Sequence, residues 1–278
     1  MLVVVSLVLG SSVGEAQGAP QATGSGVDEL VDVGGYRLRV RCAGEGTPTV
    51  LLEAGLGSNS ATWDSVVPGV DEFTRVCRYD RPNLGRSDPS PREILEIGPT
   101  TFIALRSGQE VVTDLRRVLT SVGGDGPYVL VGHSLGGLFI VLFASLHPED
   151  VAGIVLVDSA HPDQVARSHE LMTFEEAQRD QNGLMQNREG LDIDRILDEV
   201  RSRNWRTIAP LVVLAHGQPD SSPEEEEDWR DMQADHARRS PSGRLVVAER
   251  SGHDIQLDQP DLVVEAIREV VTRARSGR

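Results

Sequence analysis

The sequence is short of basic side chains, of cysteine, and of any apolar run long enough to cross a bilayer, and each shortage narrows what the chain can do. Its 27 Lys and Arg face 43 Asp and Glu, giving a formal net charge of −16. A surface of that sign has no electrostatic reason to bind nucleic acid or an anionic membrane, so small-molecule partners are favoured. Most of the carboxylates simply keep the surface solvated. The only cysteines, Cys42 and Cys77, are distant in sequence and have no histidine cluster nearby, which argues against a metal centre. Both fall in predicted strands, either as a pair in an oxidising compartment or as two buried thiols. Residues 1–10 are almost wholly apolar but fall well short of the ~20 residues that span a membrane. With small and polar residues following through Gly26, and Ala16 and Ala19 as cleavage edges, they read as a secretory signal, so the mature chain is expected outside the cell or in its envelope; without a signal it would be cytoplasmic. No Lys or Arg precedes the apolar run, so the segment is either an unusual signal or begins inside a longer one.

What is present is an alternation of strands and helices. At 278 residues the chain suits one large α/β domain, taken as 27–278, although length alone leaves two open. Residues 27–42 alternate around Gly34-Gly35 as a hairpin. Buried strands are expected at 49–52, 74–79, 128–131, 151–157, 210–215 and 245–248. Helices are expected from Ser60 to a stop at Pro68-Gly69, over 109–122, from Leu138 to Leu146, within an acidic segment from Glu224 that contains Trp229 and Met232, and over 262–271. The Pro-rich, charged stretch 88–99 reads as a surface loop. Residues 162–207 are polar, helix-leaning and longer than a compact core requires between strands, so they read as a helical cap.

Within this frame Gly132-His133-Ser134-Leu135-Gly136-Gly137 stands between a strand and a helix, the context that a Gly-x-Ser-x-Gly nucleophile elbow requires. The glycines let the backbone fold tightly, and the following helix aims its first amides at developing negative charge. Polar and chemically able residues also collect just after strand ends: Gly55, Leu56, Asp80, Ser134, Asp158, Asp220 and His253. In a parallel sheet those ends share one edge.

Together these motifs resemble the α/β-hydrolase family over nearly the whole chain. The elbow matches; Ala54-Gly55-Leu56 stands in place of the family's His-Gly-x oxyanion loop; Asp80-Arg81-Pro82-x-x-Gly85-x-Ser87 matches the loop after the fourth strand; and Ser251-Gly252-His253 matches its late histidine. Ala54 departs from the usual histidine, but the family makes that contact with backbone amides. The resemblance implies a mostly parallel sheet of about eight strands with helices on both faces. It also puts Cys42 and Cys77 on neighbouring strands, where they could pair.

A serine hydroxyl is a weak nucleophile, so a histidine must take its proton and a carboxylate must fix the imidazole. Ser134 and His253 fill the first two roles, and the amides of Leu56 and Leu135 would hold the oxyanion. Two carboxylates compete for the third. Asp220 lies three residues after Gly217, the spacing that the family commonly uses after its seventh strand, while Asp158 ends the sixth strand directly, as in other branches. Asp158 is preferred because a regular element holds geometry better than an acidic loop. His133 is expected to pack inside the elbow; His161 and His216 follow strands and could line the pocket, with structural or solvated roles preferred. Gly55, His133 and the cap residues Met172, Phe174, Leu184 and Met185 are the candidate substrate contacts. The expected activity is cofactor-free hydrolysis of a carboxylic ester. A thioesterase, amidase, lyase or perhydrolase would use the same residues, and a non-catalytic ligand-binding module on the same scaffold is the rival from another class.

Overall fold

A computed structural model describes residues 26–91, 94–97, 100–122, 126–171, 187–219 and 221–277. Among them are ten strands: β1 (Val27–Asp32), β2 (Arg37–Ala43), β3 (Val50–Glu53), β4 (Val76–Tyr79), β5 (Ile94–Ile97), β6 (Thr100–Ile103), β7 (Tyr128–His133), β8 (Val151–Val157), β9 (Leu211–His216) and β10 (Arg244–Ala248). The helices are α1 (Val67–Val70), α2 (Gly108–Ser121), α3 (Leu135–Leu146), α4 (Gln164–Leu171), α5 (Ile193–Arg201), α6 (Pro223–Ala237), α7 (Ile255–Asp258) and α8 (Pro260–Arg275). Eight strands form one sheet in the order β1-β2-β4-β3-β7-β8-β9-β10. Only β2 runs against its neighbours; every other pairing is parallel.

The central strands are continuously apolar because both faces of the sheet are covered. Their two-residue period splits each strand between two cores. Leu51, Leu130, Ile154, Leu156, Leu211 and Val213 pack on one side with α2 and α3. Val50, Leu52, Val129, Val131, Val155, Val157, Val212 and Leu214 pack on the other with Trp63 and with Val263, Ile267, Val270 and Val271 of α8. Helix α3 is buried around nearly its whole circumference, since it lies against the sheet with α2 and α5 beside it. A capping box between Ser107 and Glu110 starts α2.

Two local expectations are corrected. Stretch 88–99 is not wholly loop: Ile94–Ile97 pairs antiparallel with Thr100–Ile103. Their β-branched and aromatic residues outweigh the flanking prolines and charges. Pro68-Gly69 does not stop a helix either; a 3₁₀ turn at Ser60–Trp63 is followed by α1, which runs through both residues because a proline in the first turn forfeits no hydrogen bond.

Cys42 and Cys77 face each other across β2 and β4, their Cα atoms 4.1 Å apart, and their sulfurs are bonded. The bond closes a loop of 35 residues. Replacing both cysteines with alanine is expected to lower unfolding stability by about 4 kcal/mol on chain entropy alone. Urea unfolding measures this, and a loss under about 1 kcal/mol would contradict it.

Candidate active site

Strand β7 ends at His133, α3 begins at Leu135, and Ser134 makes the turn between them with φ 52° and ψ −127°. The approach is so close that a Cβ on Gly132 would lie 2.7 Å from Gly136 O, and one on Gly136 would lie 2.5 Å from Ala54 O. Three backbone hydrogen bonds hold the strained residue: Ser134 N–H donates to Val157 O (3.2 Å), and its carbonyl accepts from Gly137 (2.9 Å) and Ala160 (3.0 Å). A non-glycine residue in this region costs on the order of 1–3 kcal/mol, which its surroundings must supply.

Asp158 follows β8 directly and is fully buried. Its Oδ2 accepts from His253 Nδ1 at 2.7 Å and from His216 Nδ1 at 2.8 Å. Its Oδ1 accepts from the His216 backbone N–H and from Trp229 Nε1, both at 3.0 Å. Burial alone would raise this carboxyl, but the hydrogen bonds and charge of the two histidines hold it well below the usual carboxylate range. His216 also donates through Nε2 to Glu226 Oε2 at 3.1 Å. Burial opposes its imidazolium; Asp158 and Glu226 overcome that and carry it up to about 9. The pKa of His253 is likewise raised, Asp158 outweighing burial, and its side chain stays 41% exposed, accessible from solvent.

His133 packs its ring on His253, with centroids 4.7 Å apart, and donates through Nε2 to the His253 carbonyl at 3.1 Å. Burial and the neighbouring His253 lower it to about 4, so it is neutral and holds the His253 backbone. Gly55 approaches from the other side: a Cβ there would lie 3.0 Å from His133 Nδ1 and 3.2 Å from Ser134 Cβ. The loop carrying Leu56 therefore runs beside the serine. Leu135, the first residue of α3, has no intrahelical acceptor for its amide.

Ser134, His253, Asp158, His133, Gly55, Leu56 and Leu135 thus gather at one edge of the sheet. Asp220 and the cap residues Met172, Phe174, Leu184 and Met185 lie outside the described residues. Sequence reasoning missed His216 and Trp229 as partners of Asp158, and Glu226 as the second partner of His216. His216 was detectable as the last residue of an apolar strand on the same edge, and Trp229 as lying three positions from Glu226 on one helix. Asp80, by contrast, is a structural joint: it accepts from Ser60 N and Oγ and from Arg86 N. Among the described residues, one group of metal-ligating types comes together within 4.8 Å, His147, Glu149 and Asp150, beyond the far end of α3.

A family model described as "alpha/beta hydrolase fold" matches residues 48–203. The uncharacterized protein YqjL of Bacillus subtilis (strain 168) is 26% identical over 223 residues, 80% of this chain and 83% of that one. Some other curated relatives are much longer: a protein described as "Probable transporter efuK" from Hormonema carpetanum is 33% identical over 148 residues, 51% of this chain but 20% of its own length. Among solved structures, a Vigna radiata epoxide hydrolase superposes with a TM-score of 0.65 at 14% identity, covering 90% of this chain and 99% of that one. A thermophilic esterase from Thermogutta terrifontis gives 0.60 at 20% identity, covering 90% and 99%.

Proposed function

The chain belongs to the α/β-hydrolase fold family, and on that premise we propose that it is a serine hydrolase cleaving a carboxylic ester of a small molecule by acyl transfer. Ser134 Oγ attacks the ester carbonyl as His253 Nε2 takes its proton, and Asp158 stabilises the imidazolium that forms. The amides of Leu56 and Leu135 receive the oxyanion. The alcohol leaves with the proton from His253, which then activates water to release the acid from Ser134. No cofactor is needed.

One observation carries this reading: the 2.7 Å bond from His253 Nδ1 to a carboxylate that three further donors keep ionised and oriented. It leaves Nε2 as the nitrogen that can act as base. A serine at the elbow favours acyl transfer over epoxide opening, for which the family uses an aspartate. In this reading the segment between β8 and β9 serves as the cap and sets acyl preference, as its polar, helix-leaning sequence over 162–207 supports. Export is supported by the apolar start of the chain and by the Cys42–Cys77 bond, which suits an oxidising compartment.

Covalent labelling tests the reading. A fluorophosphonate probe is expected to modify the folded protein once, with mass spectrometry locating the adduct on Ser134 and no label on Ser134→Ala. An unlabelled Ser134 in folded protein would overturn it in favour of a non-catalytic binding module.

A further inference from the structure

Behind the loop that carries Leu56 lies a buried ionic cluster that the mechanism does not use. Arg81, Glu53 and Glu189 are each 2% exposed or less. They come from the loop after β4, from the end of β3, and from the part of the insertion that precedes α5. Every N–H of the Arg81 guanidinium is engaged. Nε donates to Glu189 Oε2 at 2.5 Å; Nη1 donates to Glu53 Oε1 at 2.5 Å and to Ala54 O at 2.6 Å; Nη2 donates to Gly55 O at 2.6 Å and to Glu189 Oε1 at 2.8 Å. Glu189 Oε1 also accepts the Gly57 N–H at 2.8 Å.

This occupancy excludes a substrate-binding role for Arg81, which has no donor left to offer. Stability is a poor explanation too, because desolvating three charges costs several kcal/mol per ion and apolar packing of the same volume often does as well. What the cluster fixes is direction. In a trans peptide the C=O of one residue and the N–H of the next point opposite ways. Arg81 pulls the carbonyls of Ala54 and Gly55 toward itself, and so turns the amides of Gly55 and Leu56 away from itself. The loop passes beside Ser134, as the close approach of Gly55 to the Ser134 Cβ shows.

We propose that Arg81, clamped by Glu53 and Glu189, is a positioning residue that presets the Leu56 amide of the oxyanion hole, and that Glu189 ties this setting to the insertion. The inference rests on the serine-hydrolase reading for its catalytic consequence, but not for its structural one. Burial alone would disfavour the guanidinium charge; Glu189 and Glu53 more than offset it, so Arg81 stays charged.

The test uses the full chain as Arg81→Lys, Arg81→Met and Glu189→Gln, with p-nitrophenyl butyrate as substrate. Losing one oxyanion donor costs about 10²–10³-fold in kcat. Arg81→Met is expected to approach that loss, Arg81→Lys to recover part of it, and Glu189→Gln to lose about 10-fold, with KM changed less than about twofold throughout. Affinity for a trifluoromethyl ketone, whose adduct carries the oxyanion, should fall in step with kcat/KM. Hydrogen exchange of the peptide spanning residues 54–57 reads the loop without any substrate, and should quicken in all three variants. Unchanged exchange and unchanged kcat in folded Arg81→Lys and Glu189→Gln would overturn the proposal, and these two variants decide it if Arg81→Met does not fold. A wild-type protein that turns over no ester sinks the acyl-transfer reading alone; exchange then decides whether Arg81 sets the loop.

Discussion

Ser134→Ala is expected to lower ester turnover about 10⁶-fold, because nucleophile, base and acid act as one unit and removing the nucleophile silences the other two. The fold should survive, since alanine takes the same backbone and the three hydrogen bonds that hold residue 134 are all made by main-chain atoms. A second substitution separates chemistry from architecture. Ser134→Gly removes the penalty of a side chain at φ 52° and is expected to stabilise the protein by about 1 kcal/mol while being equally inactive. Steady-state kinetics and urea unfolding measure the two effects. Turnover retained in Ser134→Ala would remove serine from the mechanism, and a destabilised Ser134→Gly would mean that the turn is not under strain.

Asp158→Asn is expected to cost about 10⁴-fold in kcat, through loss of the imidazolium's counter-charge and of the tautomer that leaves Nε2 free as base. Four donors converge on this side chain. An amide can accept on its oxygen only, so its NH₂ must face at least one N–H, and stability should fall as well. The pH dependence follows with a definite sign. His253 acts as base only when neutral, and Asp158 raises its pKa; without that charge the acid limb of kcat/KM should move to lower pH. His216 responds separately. Its folded pKa of about 9 exceeds the usual value of 6.5, so the stability it contributes is complete below pH 6.5 and is lost as pH rises toward 9. That decline should shrink in Asp158→Asn, where only Glu226 still favours the charge. An unmoved acid limb together with near-normal turnover would return the role of acid to Asp220.

How much of this could be read from the chain depended on distance. The sheet was legible because apolar strands covered on both faces need no pairing information to be recognised. Ser134 and His253 sit in short local patterns that carry their own context. The choice between Asp158 and Asp220 could not be made locally, since both follow strands and both suit a turn; the crossing of β8, β9 and the His253 loop puts Asp158 in reach of the imidazole, and Asp220 lies outside the described residues. His216, Trp229 and Glu226 were less visible still, because their meaning comes from α6 lying over the end of β8. Arg81 was noticed as part of a motif, yet its partners stand 28 and 108 residues away along the chain. The pairing of β5 with β6 was hidden by the prolines and charges around them.

The bond between Cys42 and Cys77 encloses more than a length of backbone. Strand β3 and the loop through Gly55 and Leu56 lie within that ring, while Ser134, Asp158 and His253 lie outside it. A protease that clips the exposed turn at residues 45–47 would therefore release no fragment. Both pieces stay covalently joined, each paired into the sheet, so a nicked molecule keeps the loop through Gly55 and Leu56 beside Ser134 until a reductant reaches the sulfurs.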